Sequence, residues 1–331
     1  MTGLAGKRVL VTGGGGFIGS HLVERRLDEA AEVRAICGYN SEGSYGWLDH
    51  LTARQLAGLD LQLGDIRDAR TVRDAVRDVE IVFHLAALIA IPYSYRAAES
   101  FVETNTAGTL NVLEAVRDAG GVRMINTSTS EVYGTPESVP IAEDHPVRAQ
   151  SPYAATKVAA DQLCQAYARS FGVDVLTLRP FNTYGPRQSA RAVVPTILAQ
   201  LLSGAKQVRL GSLEPRRDLT YVSDTVDGFV RIAGSSLPPG ALVQLGTGRA
   251  VSIGELFALC CQVTGVEAEV ITESERTRPE ASEVQVLQSN PSRASTHLGW
   301  RASWSLEAGL AETAAWLAPR VDAEHAKRYH W

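Results

Sequence analysis

The chain has 331 residues, 45% of them hydrophobic, and a formal net charge of −5. That is enough apolar material for one large core or two domains sharing an interface, and without a basic run nucleic acid is not an expected partner. Cys37, Cys164, Cys260 and Cys261 form no CxxC pair and no metal-ligand spacing, so no metal site is expected and a reducing, cytoplasmic setting fits.

The opening "MTGLAGKRVLVTG" runs straight into a strand pattern without a signal peptide. The longest apolar run, "IVFHLAALIAIP", is interrupted by His84 and falls short of the ~20 residues needed to span a bilayer. Strand patterns follow at 8–13, 32–37, 59–65, 80–87, 122–128 and 173–180. Helical patterns at 17–29, 67–78, 99–120 and 151–172 alternate with them. This alternation predicts an α/β fold with a Rossmann-type, doubly wound parallel sheet. After Pro180 proline, glycine and short mixed elements dominate. The expected organisation is a dinucleotide-binding domain over 1–180 and a smaller α/β substrate domain over 181–331, with some interleaving.

"VLVTGGGGFIGSHL" sets Gly13, Gly16 and Gly19 in a GxxGxxG spacing between a strand and a helix. There the pyrophosphate of a dinucleotide meets backbone N–H groups at a helix N-terminus, and glycine lets the backbone approach it. Phe17 and Ile18 open the helix and belong to the same loop. At the end of the second strand an acidic residue would bind a ribose 2′-OH and an arginine a 2′-phosphate. Cys37 and Gly38 stand there instead, and without a cation for the phosphate NAD is favoured over NADP, which stays open.

"SPYAATK" places Tyr153 and Lys157 one helical turn apart on one face. A nearby ammonium lowers a phenol's pKa toward neutrality, so Tyr153 is expected to take the proton of a substrate hydroxyl. The bland alternative is a surface Tyr–Lys pair. "NTSTSEVYGT" (126–135) crowds Ser128, Thr129, Ser130 and Glu131 just after a strand. For Glu131 the bland alternative is a solvated loop carboxylate. His84 and Tyr133 read as packing rather than chemistry.

TGxxGxxG together with a downstream YxxxK resembles the short-chain dehydrogenase/reductase superfamily. That resemblance implies that Asp65 and Ile66 of "GDIRD" lie against the adenine, and that Leu85, Ala86 and Ala87 of "HLAA" line the cofactor. "LRPFNTYGPRQ" (178–188), "RRDLTYVSD" (216–224) and "RPEASEV" (278–284) resemble the extended, NAD-dependent epimerase/dehydratase branch acting on nucleotide-diphosphate sugars, from residue 7 to about 315. The branch implies that Thr129 bonds the sugar oxygen being oxidised and that Asn182 and Arg217 contact the pyrophosphate. Arg187 would join them as a substrate-binding cation, and Arg278 and Glu283 would sit near phosphate and ribose. Arginines and an amide donor suit a diphosphate; the alternative for Arg217 is a salt bridge to Asp218 or Asp224. In the branch a helix pair such as 99–120 and 151–172 forms a four-helix bundle across a homodimer, although burial within one chain would also suit their faces.

"TSEVYG" resembles the nucleotide-sugar 4,6-dehydratases of the GDP-mannose type. The dTDP-glucose type reads "TDEVYG", so Ser130 replaces an acidic residue. Oxidation at C4 acidifies the C5 proton, and Glu131 is the expected base and also the acid for the C6 hydroxyl. "YNSEGSYGWLDHL" (39–51) and 179–198 resemble dehydratases of N-acetylglucosamine nucleotides in nonulosonic acid pathways, which carry an arginine where this chain has Gly38 and a tryptophan at Tyr45. The alternatives are a UDP-sugar C4 epimerase, in which Glu131 is incidental, a nucleotide-uronate decarboxylase, which also carries "TSEVYG", and a non-catalytic dinucleotide sensor, which would need no Thr129–Tyr153–Lys157 set.

Overall fold

The structure, a computed structural model, describes residues 4–29, 31–276 and 279–322. Its strands are β1 (Arg8–Thr12), β2 (Glu32–Gly38), β3 (Leu59–Gly64), β4 (Ile81–His84), β5 (Arg123–Thr127), β6 (Val175–Pro180), β7 (Asn182–Tyr184), β8 (Gln207–Leu210), β9 (Arg216–Tyr221), β10 (Leu242–Leu245), β11 (Ala250–Ser252), β12 (Glu269–Thr272) and β13 (Val286–Leu287). Seven of them form one parallel sheet in the order β3-β2-β1-β4-β5-β6-β10. This is the doubly wound arrangement, and its direction reverses between β1 and β4, where such sheets open a crevice at the carboxyl ends of the strands.

Both faces of the sheet are covered. Along β1, Val9 and Val11 join one apolar cluster, with Phe83, Leu178 and Phe229, while Leu10 joins the other, with Val82, Met124, Val112 and Cys164. Alternate side chains point to opposite faces, so a strand buried on both reads as an unbroken apolar run. Every residue of β4 and of β6 is buried. β10 lies beyond Pro180 in sequence yet pairs with β6 at the edge of the main sheet. Two smaller sheets complete the set, β7, β11 and β13 gathered around β9, and β8 paired with β12.

Two predicted elements differ in detail. β4 stops at His84, because the next backbone leaves the sheet: the N–H groups of Leu85 and Ala86 both donate to the Thr12 hydroxyl at 3.2 Å. The helix predicted over 99–120 runs from Ala98 to Ala119 with a wide π-helical turn at Val102–Ala107. That turn aims Asn105 at the loop after β4: Leu88 N–H donates to Asn105 Oδ1 at 2.8 Å and Asn105 Nδ2 donates to the Leu88 carbonyl at 2.9 Å. The helix packs against helix Pro152–Phe171 within the chain. Cys260 is buried on helix Ile253–Thr264. Among the described residues no helix is long and apolar enough to cross a membrane, and no cluster of His, Cys, Asp and Glu could hold a metal ion.

Candidate active site

A cleft of about 1540 Å³ opens at the carboxyl ends of β1, β4, β5 and β6 and continues toward the smaller sheets. A single small-ligand pocket occupies roughly 300–1,000 Å³, so this cleft has room for two ligands side by side.

At one end lies the glycine loop. Gly13, Gly15, Gly16, Phe17, Ile18 and Gly19 all line the cleft. Gly13 has φ +71°, and a Cβ there would come within 2.8 Å of the Ala86 nitrogen. A Cβ on Gly15 would overlap the Tyr45 carbonyl oxygen, because the loop after β2 folds over it and Trp47 N–H donates to the Gly15 carbonyl at 3.1 Å. Helix Phe17–Asp28 starts at Gly16 with no side-chain cap and no acidic residue in its first turn. Its orphan N–H groups and dipole therefore suit an anion. Leu85, Ala86 and Ala87 form the facing wall. Cys37 and Gly38, both uncharged, line the far end; burial pushes the Cys37 thiol up to about 11, so it stays protonated near neutral pH. Asn40 pins the adjoining loop, donating to the Gly38 and Ser44 carbonyls and accepting from the N–H groups of Glu42 and Ser44. The site fits a dinucleotide.

Asp65 and Ile66, expected against the adenine, are not on the cleft wall. The Asp65 carboxylate is held by Arg67, whose side chain reaches it at 2.6 Å, and Ile66 is buried under helix Gly108–Ala119.

In the middle of the cleft two elements meet. Helix Pro152–Phe171 starts where Ser151 accepts the Ala154 N–H at 3.1 Å and Pro152 takes the first helical position. Tyr153, Lys157 and Asp161 follow on successive turns, all buried. From the other side β5 emerges into a 3₁₀ turn, Ser130–Tyr133, capped by Thr129, whose hydroxyl accepts the Glu131 N–H at 3.3 Å. The same hydroxyl acts on the Tyr153 phenol and favours its ionised form. Thr129, Glu131, Tyr153 and Lys157 all line the cleft. Ser130 does not: the turn carries it into the interior, where it is buried. Its hydroxyl therefore does not share the cleft wall with Thr129 and Glu131, its neighbours in the motif.

The electrostatics also correct an expectation. Burial pushes the Tyr153 phenol well above its ordinary pKa; Thr129 opposes the shift, and the carboxylates of Glu131 and Asp161 add to it. Lys157 is lowered by burial and supported by Asp161. Burial, not the ammonium one turn away, dominates the phenol.

Asp161 anchors a buried network. It accepts Ser128 Oγ at 2.6 Å, Arg179 NH2 at 2.7 Å and Asn126 Nδ2 at 3.2 Å. The Arg179 guanidinium lies 4.7 Å from the centre of the Tyr133 ring, and Tyr133 Oη donates to Gln244 at 2.8 Å. On β4, His84 is buried and neutral, its pKa pushed down to about 3 by burial and by the Lys157 charge. Thr109 gives its proton to the Asn105 carbonyl at 2.6 Å, so at 3.0 Å it accepts from His84 Nε2. Thr12 then donates to Nδ1 at 2.9 Å.

At the other end Asn182, Arg187, Arg217 and Glu283 line the cleft. Arg217 is neither exposed nor paired with Asp218 or Asp224. It donates to Glu283 at 2.8 Å and to the Val284 carbonyl at 2.8 Å. Asp218 is taken by Thr247, Gly248 and Ser289, and Asp224 by Ser303 and Trp304. Arg187 reaches back to Glu24 and Ser20 on the first helix, tying this wall to the helix that follows the glycine loop. Arg278 lies outside the described residues. The side-chain oxygens of Asn182, Gln188 and Thr127 are buried on this wall without a hydrogen-bond partner. Buried polar atoms need partners, so these three fit a polar ligand. Asp161, His84 and Asn105 were not identified from sequence. Only Asp161 left a signal there, eight residues after Tyr153 on the same helical face.

The model of the GDP-mannose 4,6 dehydratase family matches residues 10–313. A UDP-glucose 4-epimerase of Mycolicibacterium smegmatis is 35% identical over 92% of this chain and 97% of its own length. UDP-glucuronic acid decarboxylase 1 of Xenopus tropicalis is 32% identical over 96% of this chain and 73% of its own. Among solved structures, the dTDP-glucose 4,6-dehydratase DesIV of Streptomyces venezuelae, with NAD bound, superposes with a TM-score of 0.83 at 30% identity, covering 95% of this chain and 97% of that one. With the glycine loop, the Thr129–Tyr153–Lys157 set and a two-ligand cleft in place, the chain belongs to the GDP-mannose 4,6 dehydratase family, within the NAD-dependent epimerase/dehydratase group of nucleotide-sugar enzymes.

Proposed function

We propose that the chain is a nucleotide-sugar 4,6-dehydratase that uses NAD. The observation that carries this reading is Glu131, a half-buried carboxylate on the cleft wall whose charge reaches the Tyr153 phenol. An enzyme that only exchanges hydride at C4 has no need of it.

The dinucleotide is held by Gly13–Gly19 and the wall at Leu85–Ala87. Bound NAD would supply the hydride acceptor for C4 and the hydride donor for C6, and its oxidised ring would add a positive charge that favours the Tyr153 phenolate. Tyr153 takes the proton of the C4 hydroxyl, and Thr129 bonds the same oxygen. The C4 ketone acidifies the C5 proton. Glu131 removes that proton and delivers it to the C6 hydroxyl, which leaves as water. The proton first taken from C4 is returned to C5, so that only water is lost. Asn182 and Arg217 bind the diphosphate. The outward faces of the helices 98–119 and 152–171, where Val102 and Phe171 are exposed, form a homodimer interface in this reading.

A second reading, a UDP-sugar C4 epimerase or a nucleotide-uronate decarboxylase, is favoured by one observation: Glu131 is the one carboxylate in its own turn, so no acidic neighbour there shares the elimination. Incubation with UDP-, GDP-, dTDP- and CDP-sugars distinguishes them. Dehydration gives a product lighter by one water with a 4-keto chromophore in base. An unchanged mass, or loss of carbon dioxide from a uronate, sinks the proposal.

A further inference from the structure

We infer that Asp161 is the positioning residue of this site: its buried carboxylate keeps Lys157 charged and, through Ser128, fixes the strand end that presents Thr129. The inference rests on the reading of Tyr153 and Lys157 as the proton-handling pair, and it holds for a dehydratase, an epimerase or a decarboxylase alike.

The geometry is specific. Asp161 lies one helical turn beyond Lys157 and is almost fully buried, so it is not a solvated surface charge. One carboxylate oxygen accepts both Ser128 Oγ at 2.6 Å and Arg179 NH2 at 2.7 Å, and the other accepts Asn126 Nδ2 at 3.2 Å. Two of those three partners are at the end of β5 or just past it. Ser128 is the neighbour of Thr129, so the seat of the substrate-facing hydroxyl is tied to the helix that carries Tyr153.

The charge count gives Asp161 a second role. Lys157 and Arg179 are both buried cations; Asp161 bonds Arg179 at 2.7 Å and lies one helical turn from Lys157, whose charge it supports. Buried ammonium groups lose their proton unless an opposite charge is near. The other groups facing this cluster are Tyr153 and Cys164 on its own helix, Glu131, whose charge acts on Tyr153, His84 on β4, and Tyr133 and Glu143 around Arg179. His84 is neutral, the Tyr153 and Cys164 groups are held protonated by burial, and Glu143 is raised by burial. None of them replaces Asp161 beside Lys157.

The test reads Lys157 directly. The lysines are Lys7, Lys157, Lys206 and Lys327, so labelled lysine gives a sparse NMR spectrum in which Lys157→Arg assigns the resonance. In the full-length protein without substrate Lys157 is expected to be charged at pH 7. Asp161→Asn is expected to lower its titration midpoint by about one pH unit or more, to move both limbs of the turnover profile to lower pH, and to cut kcat more than it raises KM. Asp161→Glu is expected to restore the midpoint. Arg179→Gln removes the rival cation and is expected to move the midpoint up, which keeps the inference testable where Asp161→Asn does not fold. A neutral Lys157 in the wild-type protein, or an unmoved midpoint in either folded variant, overturns it. If instead Tyr153→Phe retains turnover while the Lys157 shift persists, the proton-handling pair is wrong and the role of Asp161 as counter-ion stands.

Discussion

The Thr129 hydroxyl accepts the Glu131 N–H at 3.3 Å, which sets the turn carrying that carboxylate. The same hydroxyl favours the ionised form of the Tyr153 phenol, so it acts on both sides of the chemistry. Removing it by Thr129→Val therefore loosens the turn and leaves the phenol less acidic. Turnover is expected to fall about 10²-fold, with Tyr153→Phe falling by about 10³-fold or more, in the range of lost acid–base catalysis. Steady-state kinetics on the active nucleotide sugar checks both; Thr129→Ser, which keeps the hydroxyl, should retain most of the rate.

Gly15 is packed against the Tyr45 carbonyl, with no room for a methyl group between them. Gly15→Ala must push the loop after β2 away from the phosphate loop. Because the Trp47 N–H bond to Gly15 and the Asn40-pinned turn move with it, the cost falls on the cofactor end of the cleft alone. NAD affinity measured by calorimetry is expected to weaken at least about tenfold, the equivalent of roughly 1.4 kcal/mol, with the fold intact by circular dichroism.

His84 ties stability to pH. Its folded pKa, about 3, lies below the ordinary 6.5, so the unfolded chain binds the proton more readily. The stabilising contribution is complete above pH 6.5 and is lost as pH falls toward 3, with a limiting slope of about 1.4 kcal/mol per pH unit. Denaturant unfolding between pH 7 and 5 should show this slope in the wild-type protein and a shallower one in His84→Gln, which cannot be protonated.

Arg217 and Glu283 make a half-buried pair at the substrate end, with Arg217 also holding the Val284 and Arg216 carbonyls. This pair makes a position-specific prediction. Arg217→Lys keeps a charge but loses the planar fork that serves three partners at once. If Arg217 binds the diphosphate, KM for the nucleotide sugar rises about tenfold while kcat changes less than twofold. A drop in kcat with KM unchanged would assign Arg217 to the architecture of the chemical step instead.

The legible parts of this molecule were those with a local period or a local motif. The alternation of β1, β4, β5 and β6 with long helices, the glycine loop, and the Tyr153–Lys157 spacing each lie within one or two elements, so a short window contains the whole signal. His84 was not legible as the middle of a Thr12–His84–Thr109 relay, because its partners sit 72 and 25 residues away. The clamp from Asn105 to Leu88 depends on a π turn that the helical period does not announce. Arg217 was read as a candidate anion ligand, and its bond to Glu283 joins segments 66 residues apart. Ser130 is a different case: a motif lists it beside Thr129 and Glu131 in sequence but does not say which way each side chain points, and the 3₁₀ turn buries Ser130.

Glu131 remains the residue on which the reaction class turns. It sits on the cleft wall, its backbone held by Thr129 and its charge felt by Tyr153. Glu131→Gln keeps the shape and the turn but removes the base. For a dehydratase, oxidation at C4 needs Tyr153 and Thr129 alone, so absorbance of reduced NAD should rise on adding substrate and then persist, while water loss falls by about 10²–10⁴-fold. Because the carboxylate also raises the Tyr153 phenol, its removal lets the phenol ionise at lower pH, and the acid limb of the oxidation step should move down. An epimerase would behave otherwise: the variant would keep its turnover, and reduced NAD would not accumulate. Full dehydration by Glu131→Gln would remove Glu131 from the elimination, and with Ser130 buried away from the cleft the base would have to be sought among the groups on the opposite wall.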